Sequence, residues 1–375
     1  MKVLVWQWGR RGAGPLMAVA LSRALAELPG TEVVLSLSTA AELLTLPGVP
    51  RNDLPVQTYS SRLGFVRRLV QAPWTLPGLV RSIRTSGADV ALCAMPAPLD
   101  FVMAAALRRA SIPYAVMVHD AQLHPGDAFP MQIALQRRLL ARANLLFALS
   151  THVAGQLRAQ GLRPGQPLLQ ASLPPFVFGP VPPPVRSHGG RLRLLSFGRL
   201  MPYKGLDLLA EAMTRLDQPD EFELRVVGAG PDSTDLARLR ALPNVTVENR
   251  WVPEGELNAL LGWADALVLT HREASQSGVA AAALAARRLL VATRVGGLAE
   301  QLAGQDAAIL CTPDPDSIAT AIARLPDHPA PSTAPATDWT TTTQLIQQGL
   351  QQLLPPPPGA VTAGIPPASA AANLR

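Results

Sequence analysis

The chain is poor in cysteine, lysine, aromatic residues and long apolar runs. Of 375 residues only Cys93 and Cys311 are cysteines, far apart and without a histidine or cysteine at metal-ligand spacing. That excludes a zinc knuckle and a disulfide scaffold, and a reducing cytoplasm is the expected compartment. Aromatics amount to 5%, too few for a base-stacking surface, so no nucleic-acid partner is expected. No apolar run approaches the length that spans a bilayer, and Val3–Trp6, which runs into a glycine turn, is too short for a secretion signal. Charged residues make up 16% and hydrophobic residues 48%. This is core-forming material for two compact domains rather than a mainly disordered chain.

Charge is unevenly spread. Residues 1–180 hold 17 Lys+Arg against 8 Asp+Glu, and residues 181–375 hold 16 against 19. The basic excess therefore lies in the first half, where it would draw a membrane, a nucleic acid or an anionic acceptor without dictating a fold. Only Lys2 and Lys204 among the 33 basic residues are lysine.

Short apolar runs alternate with amphipathic ones. In the first half strands are expected at 3–6, 32–37, 90–94, 115–119 and 145–149, with helices at 16–28, 101–109, 132–143 and 153–160. The alternation restarts with strands at 192–197, 224–227, 245–247, 266–269, 289–292 and 308–310. Helices lie between them, and a last one is expected at 339–354. Strands separated by helices imply parallel sheets. The prolines from Pro174 to Pro184, followed by Gly189 and Gly190, read as a linker. The expected division is a first domain over 1–178, a linker over 179–190, a second domain over 191–354 and a disordered tail over 355–375.

Ligands of such sheets bind outside the carboxyl ends of the strands. There Gly198-Arg199 leads through Lys204-Gly205 into a helix, placing two cations near a helix N-terminus, an arrangement suited to a diphosphate. The competing reading is a turn with two solvated charges. Val227-Gly228-Ala229-Gly230 is a second strand-end turn, for which a structural role is the stronger reading. Glu273-Ala274-Ser275-Gln276-Ser277-Gly278-Val279 offers a carboxylate and, at a helix start, exposed N–H groups. In the first half, Gly9-Arg10-Arg11-Gly12-Ala13-Gly14 follows strand one without P-loop or dinucleotide spacing. His119 ends a strand and reads as a cleft-facing hydrogen-bond donor, with a structural loop histidine as competitor. His119 and His124 have no further ligands beside them, so no metal is expected.

These segments together resemble the GT4-type glycosyltransferases, also called glycosyl transferases group 1. The resemblance is detailed over 190–325: Gly198-Arg199-Leu200 to Asp207, Val227 to Gly230, Trp251-Val252-Pro253, Ala264-Asp265, Glu273 to Gly278 and Gly296-Gly297 to Glu300. It is looser in the first half. It implies the α/β GT-B fold, two Rossmann-like domains facing a central cleft, with the nucleotide-sugar donor held mainly by the second domain and the acceptor by the first. It also implies Arg199 and Lys204 as the diphosphate-binding pair and Glu273 beside the donor sugar. Gly12, Gly14, Gly198, Gly228, Trp251, Val252, Ser277, Gly278 and Val279 are implied around the donor. A second glutamate of the family's motif would fall where this chain has Ala281, as in the branch carrying Glu-Ala-Ser-Gln-Ser-Gly.

The expected activity is retaining transfer of a sugar from a nucleotide-diphosphate donor to a glycan, lipid-linked or phenolic acceptor, with no cofactor and no metal. A nicotinamide oxidoreductase would want an acidic residue where Ser36-Leu37-Ser38 stands. A catalytically silent sugar-nucleotide binder is the other rival. Finally, Arg62, Arg67, Arg68, Arg81 and Arg84 alternate with Leu63, Phe65, Val66, Leu69, Val70 and Trp74, which fits peripheral contact with an anionic membrane. The more ordinary reading turns the apolar side into the core and has Pro73 and Pro77 break the segment.

Overall fold

The computed structural model describes residues 1–122, 130–175, 188–331 and 338–355. The first sheet is built from β1 (Lys2–Gln7), α1 (Ala13–Ala26), β2 (Glu32–Leu37), α2 (Arg62–Ser86), β3 (Val90–Cys93), α3 (Asp100–Ala110), β4 (Tyr114–Val118), α4 (Pro130–Arg142), β5 (Leu145–Ala148), α5 (Thr151–Ala159) and β6 (Leu168–Gln170). Its strands pair in parallel in the order β2-β1-β3-β4-β5-β6.

The second sheet contains β7 (Leu192–Phe197), α6 (Leu206–Thr214), β8 (Phe222–Gly228), α7 (Thr234–Arg240), β9 (Val245–Asn249), α8 (Leu257–Trp263), β10 (Ala266–Leu269), α9 (Gly278–Ala285), β11 (Leu289–Thr293), α10 (Gly296–Leu302), β12 (Ala308–Cys311) and α11 (Pro315–Ala323). Its order is β12-β11-β10-β7-β8-β9, again all parallel. Central strands such as Leu145–Ala148 and Ala266–Leu269 are buried along their whole length. Covered on both faces, they read in sequence as unbroken apolar runs.

In each sheet the strand order reverses beside the first strand, between β1 and β3 and between β7 and β10. Crevices at such reversals receive ligands. The glycine turn after β1 lies at the first reversal, and the turns after β7 and β10 lie at the second. This is the GT-B architecture, two Rossmann-like domains with their strand ends turned to a shared cleft.

Two expectations need correction. The segment 62–86 is one continuous helix despite Pro73 and Pro77. Each proline leaves a carbonyl one turn back without its helical donor, but both prolines are exposed, so water reaches those carbonyls. The last helix, α12 (Trp339–Gln351), was expected with the second domain. It packs instead on the first, where its Ile346 and Leu350 join the apolar cluster of Met17, Leu21 and Phe147. Trp339 Nε1 donates to Pro175 O at 2.9 Å, and Gln347 Nε2 to Thr31 Oγ1 at 2.7 Å. The chain thus crosses back to the sheet where it began.

Candidate active site

Three loops of the second domain meet backbone to backbone. Gly198, just past β7, has φ +117°, and a Cβ on Gly228 would collide with its carbonyl oxygen. A Cβ on Gly205 would likewise strike Thr270 O. Only glycine permits such approach, so these residues keep the strand-end turns after β7, β8 and β10 in one floor. Gly228 serves that packing, in line with the structural reading of its turn.

On this floor Lys204 Nζ donates to Nε2 of buried His271 at 2.7 Å. Thr270 Oγ1 donates to the carbonyls of Lys204 and Gly205, both at 2.9 Å. The His271 carbonyl accepts from Thr293 Oγ1 at 2.6 Å, which ties the site to β11. Arg199 and Lys204 flank the ring of Tyr203, with their charged ends 5.7 and 5.4 Å from its centroid. An aromatic ring between two cations attracts both through its negative face and holds them near one another. Neither His271 nor Tyr203 was singled out from the sequence. Their signal was weak: one residue inside each motif, at positions that a turn alone would explain.

The start of α9 forms the opposite wall. Ser277 caps the helix by accepting from Ala280 N at 3.2 Å, and its own backbone is clamped by the Gln301 amide through bonds of 2.9 and 3.0 Å. Val279 Cγ2 would lie 3.5 Å from a Cβ on Gly198, and Ala13 Cβ 3.7 Å from one on Gly278. The starts of α1 and α9, one from each domain, therefore face each other beside Gly198. Both helix N-termini bring unsatisfied N–H groups and a positive dipole end to the same place. Gly12 enters α1 at φ +79°, while Gly9 and Gly14 close around the buried Gln7 side chain, whose Oε1 accepts from Gly9 N at 2.8 Å. Glu273 is exposed, next to Arg272, which is paired to Asp207 at the start of α6.

Gln276 is 7% exposed, and its amide oxygen and nitrogen have no hydrogen-bond partner. Ala281 belongs to the same buried cluster as Met17 and Leu21 of the first domain. Where the resemblance would have a second glutamate, this chain therefore packs the two domains together.

Other expected residues lie at the rim. Trp251 Nε1 donates to Glu42 Oε2 at 3.1 Å, and the Arg11 guanidinium stacks 5.2 Å from the ring centroid while pairing with Glu42 at 3.3 Å. Arg250, clamped by Glu248 and Glu256, stiffens the turn that presents Trp251. Val252 is buried beneath it. Glu254, 3% exposed, has its carboxyl pushed up to about 7 by burial and by the Glu42 charge, with the Gly12 amide pulling the other way. His119 stands just past β4, partly exposed, its Nδ1 without a partner. His124-Pro125-Gly126 lies outside the described residues. Deeper in the first domain, burial raises the Asp100 carboxyl to about 7, where it accepts from Cys93 Sγ at 3.3 Å and Ala97 N at 2.7 Å.

At the back of the cleft the domains are joined by hydrogen bonds. Glu300 of α10 accepts from the Thr151 and His152 amides at 2.7 and 2.8 Å, capping α5 across the interface, and Ser150 Oγ donates to Ser275 O at 3.3 Å.

The fold has close solved counterparts. A sucrose-phosphate synthase from Thermosynechococcus elongatus superposes with a TM-score of 0.66 at 17% identity, covering 94% of this chain and 98% of that one. Anabaena HepE, in complex with UDP and glucose, superposes with a TM-score of 0.71 at 18% identity, covering 94% and 100%. A lipopolysaccharide outer core galactosyltransferase, WaaB, in its apo form, gives 0.62 at 15%, covering 94% and 100%. No curated protein matches the chain in sequence. Two family models do match: a glycosyl transferase 4-like domain over 12–169, and glycosyl transferases group 1 over 191–328. Between them they take in both sheets and the site, and the chain belongs to the GT4-type glycosyltransferases.

Proposed function

We propose that the protein transfers a sugar from a nucleoside-diphosphate donor, with retention of anomeric configuration, to a glycan, lipid-linked or phenolic acceptor. The observation that carries this reading is the convergence of Arg199, Lys204 and the starts of α1 and α9 around Gly198. As the glycosidic bond breaks, charge grows on the departing diphosphate, and donors already in place stabilise it without reorganising. His271 and Tyr203 keep the lysine and arginine from collapsing into solvent. That Anabaena HepE was solved in complex with UDP-glucose supports a nucleotide-sugar donor here.

In this reading Glu273 sits by the donor sugar and Trp251 and Val252 by the base. His119 offers a hydrogen bond from the acceptor side. Fixed cations take the part a divalent metal plays in other transferases, and among the described residues no three His, Cys, Asp or Glu side chains stand together as a metal-binding group. The test is a thermal-shift panel of UDP, GDP, ADP and TDP with their sugars, followed by donor hydrolysis without acceptor in EDTA and proton NMR of the released anomer. A stabilising nucleotide sugar, turnover in EDTA and a retained anomer are expected. An inverted anomer would overturn retention, and loss of turnover restored by Mn²⁺ would overturn the metal-free reading.

A further inference from the structure

The outer face of α2 is apolar where it should be polar. Its Phe65, Val80 and Ile83 pack into the core, and Phe65 stacks edge-on against Tyr59 at 4.9 Å. The core side is thus fully supplied. Yet Leu63 is 83%, Val66 54%, Val70 60% and Trp74 76% exposed, four of the six exposed large apolar residues described. Their spacing of three and four aligns them in one stripe, and continuing it by the same steps reaches Pro77 and Arg81. The ordinary reading therefore accounts for one face of the helix only, and a second apolar face points away from the protein.

The charge around the stripe is of one sign. No acidic residue occurs between Asp53 and Asp89, while Arg62, Arg67, Arg68, Arg81 and Arg84 do. Arg68 is occupied by Thr58 O and the Gln57 and Gln71 side chains. Arg62, Arg67 and Arg81 are exposed and make no ion pair with any described residue. Beside the C-terminal half of the helix lies a groove of about 630 Å³ with Arg81, Arg84 and Arg109 on its walls.

We propose that α2 is the surface by which this protein lies on an anionic phospholipid bilayer. Leu63, Val66, Val70 and Trp74 enter the headgroup boundary, and the arginines meet lipid phosphates. Tryptophan at that depth has its indole N–H in the headgroups and its ring in the acyl boundary. A second copy of the chain fits this face less well, because two such helices would bring arginine against arginine with no carboxylate on either. The helix runs from the carboxyl ends of β1 and β2 back to the start of β3, so the stripe begins at the cleft end of the first domain. The inference goes beyond the proposed transfer, and its readout needs no sugar.

The test is flotation of the full chain with phosphatidylcholine vesicles, with and without phosphatidylglycerol as the minority lipid. Recovery is expected with the anionic vesicles only, and it should fall as salt shortens the Debye length from about 10 Å at 0.1 M. Arg62→Glu with Arg67→Glu should weaken binding by roughly tenfold or more. Leu63→Ser with Trp74→Ser should abolish what remains at high salt, and both pairs should melt with the wild type. Equal recovery from neutral and anionic vesicles would overturn the proposal, as would binding indifferent to both pairs. So would a dimer in light scattering that the same changes dissolve, which would make a second copy the occupant.

Discussion

Lys204 Nζ lies 2.7 Å from Nε2 of His271. An ammonium has only protons to give, so this nitrogen of the imidazole must accept, and the ring's proton sits on Nδ1. The buried histidine is therefore a fixed acceptor that aims the lysine along the floor of the cleft. Lys204→Ala should lower kcat/KM by roughly 10² to 10³, the usual cost of losing one preorganised charge at a departing anion. His271→Phe should cost less, about tenfold, since the charge stays but its aim is lost. If the histidine acts through the lysine, the double variant should fall no further than Lys204→Ala alone. Additive losses would show that His271 has a separate task.

Arg199→Ala should resemble Lys204→Ala in rate and leave the melting temperature little changed, because Arg199 is exposed and meets the buried Tyr203 ring only through its charged end. Glu273→Gln should lower kcat with little change in donor affinity. The residue is exposed next to the ion pair of Arg272 and Asp207, and glutamine keeps its size while removing its charge. Titration of each variant with the donor, followed calorimetrically, separates the two effects. A collapse of nucleotide binding in Glu273→Gln would place that carboxylate on the nucleotide instead.

The sheets were legible because parallel strands buried on both faces are written as apolar runs. Leu192–Phe197 and Ala266–Leu269 fall where periodicity puts them. The strand β6 was missed, since three half-exposed edge residues carry no pattern. Around the candidate site, local motifs singled out Arg199, Lys204 and Glu273. Contacts joining distant segments did not show in the sequence. His271 lies 67 positions from its lysine, Trp251 lies 209 from Glu42, and Glu300 lies 149 from the amide of Thr151. Nothing local distinguishes a carboxylate that caps a helix of another domain from one that is solvated. The outer face of α2 was half legible: the sequence offered it as one of two readings, because a helix with two apolar faces reads like one with a single wide face.

Glu254 gives the domain contact a pH dependence. Its carboxyl is raised to about 7 in the folded protein, first by burial and then by Glu42. Between the ordinary carboxylate value and about 7, the folded state holds a proton that the unfolded state has released, so stability falls as pH rises through that window. Glu254→Gln should flatten this slope and stabilise the protein at pH 8 by on the order of 1 kcal/mol. The contact joins the second domain to the glycine turn of the first, so wild-type protein should also open more readily at pH 8. Melting curves and small-angle scattering at pH 5.5 and 8 would check both. An unchanged slope in the variant would mean that the carboxylate is solvated.

Gly297→Ala should damage the contact between the domains. A Cβ there would collide with the Ser275 carbonyl and lie 2.7 Å from Ser150 Oγ of the first domain. Neither neighbour can move without breaking the bond between them. Overpacking of a rigid contact costs roughly 1 to 3 kcal/mol, so a clear drop in melting temperature is expected. Gly262→Ala, with nothing within 4 Å of the added carbon, is the control and should not destabilise.

The last expectation concerns Gln276. Its amide is buried, and neither its oxygen nor its nitrogen has a hydrogen-bond partner in the protein. A buried polar group left unmade costs about 1 to 3 kcal/mol, so the side chain lowers the stability of the ligand-free protein. It lies between Glu273 and the start of α9, on the wall where Ala281 offers no hydroxyl-binding group. Such a group is explained if a donor hydroxyl, from the ribose or the sugar, completes it. Gln276→Leu keeps the volume and removes the polar atoms. It should therefore raise the melting temperature of the free protein while weakening nucleotide-sugar binding about tenfold, and the stabilisation that the donor gives the wild type should shrink. A purely structural glutamine predicts the opposite pairing, a less stable protein with donor affinity intact, and the two outcomes are told apart by one set of melts with and without the nucleotide sugar.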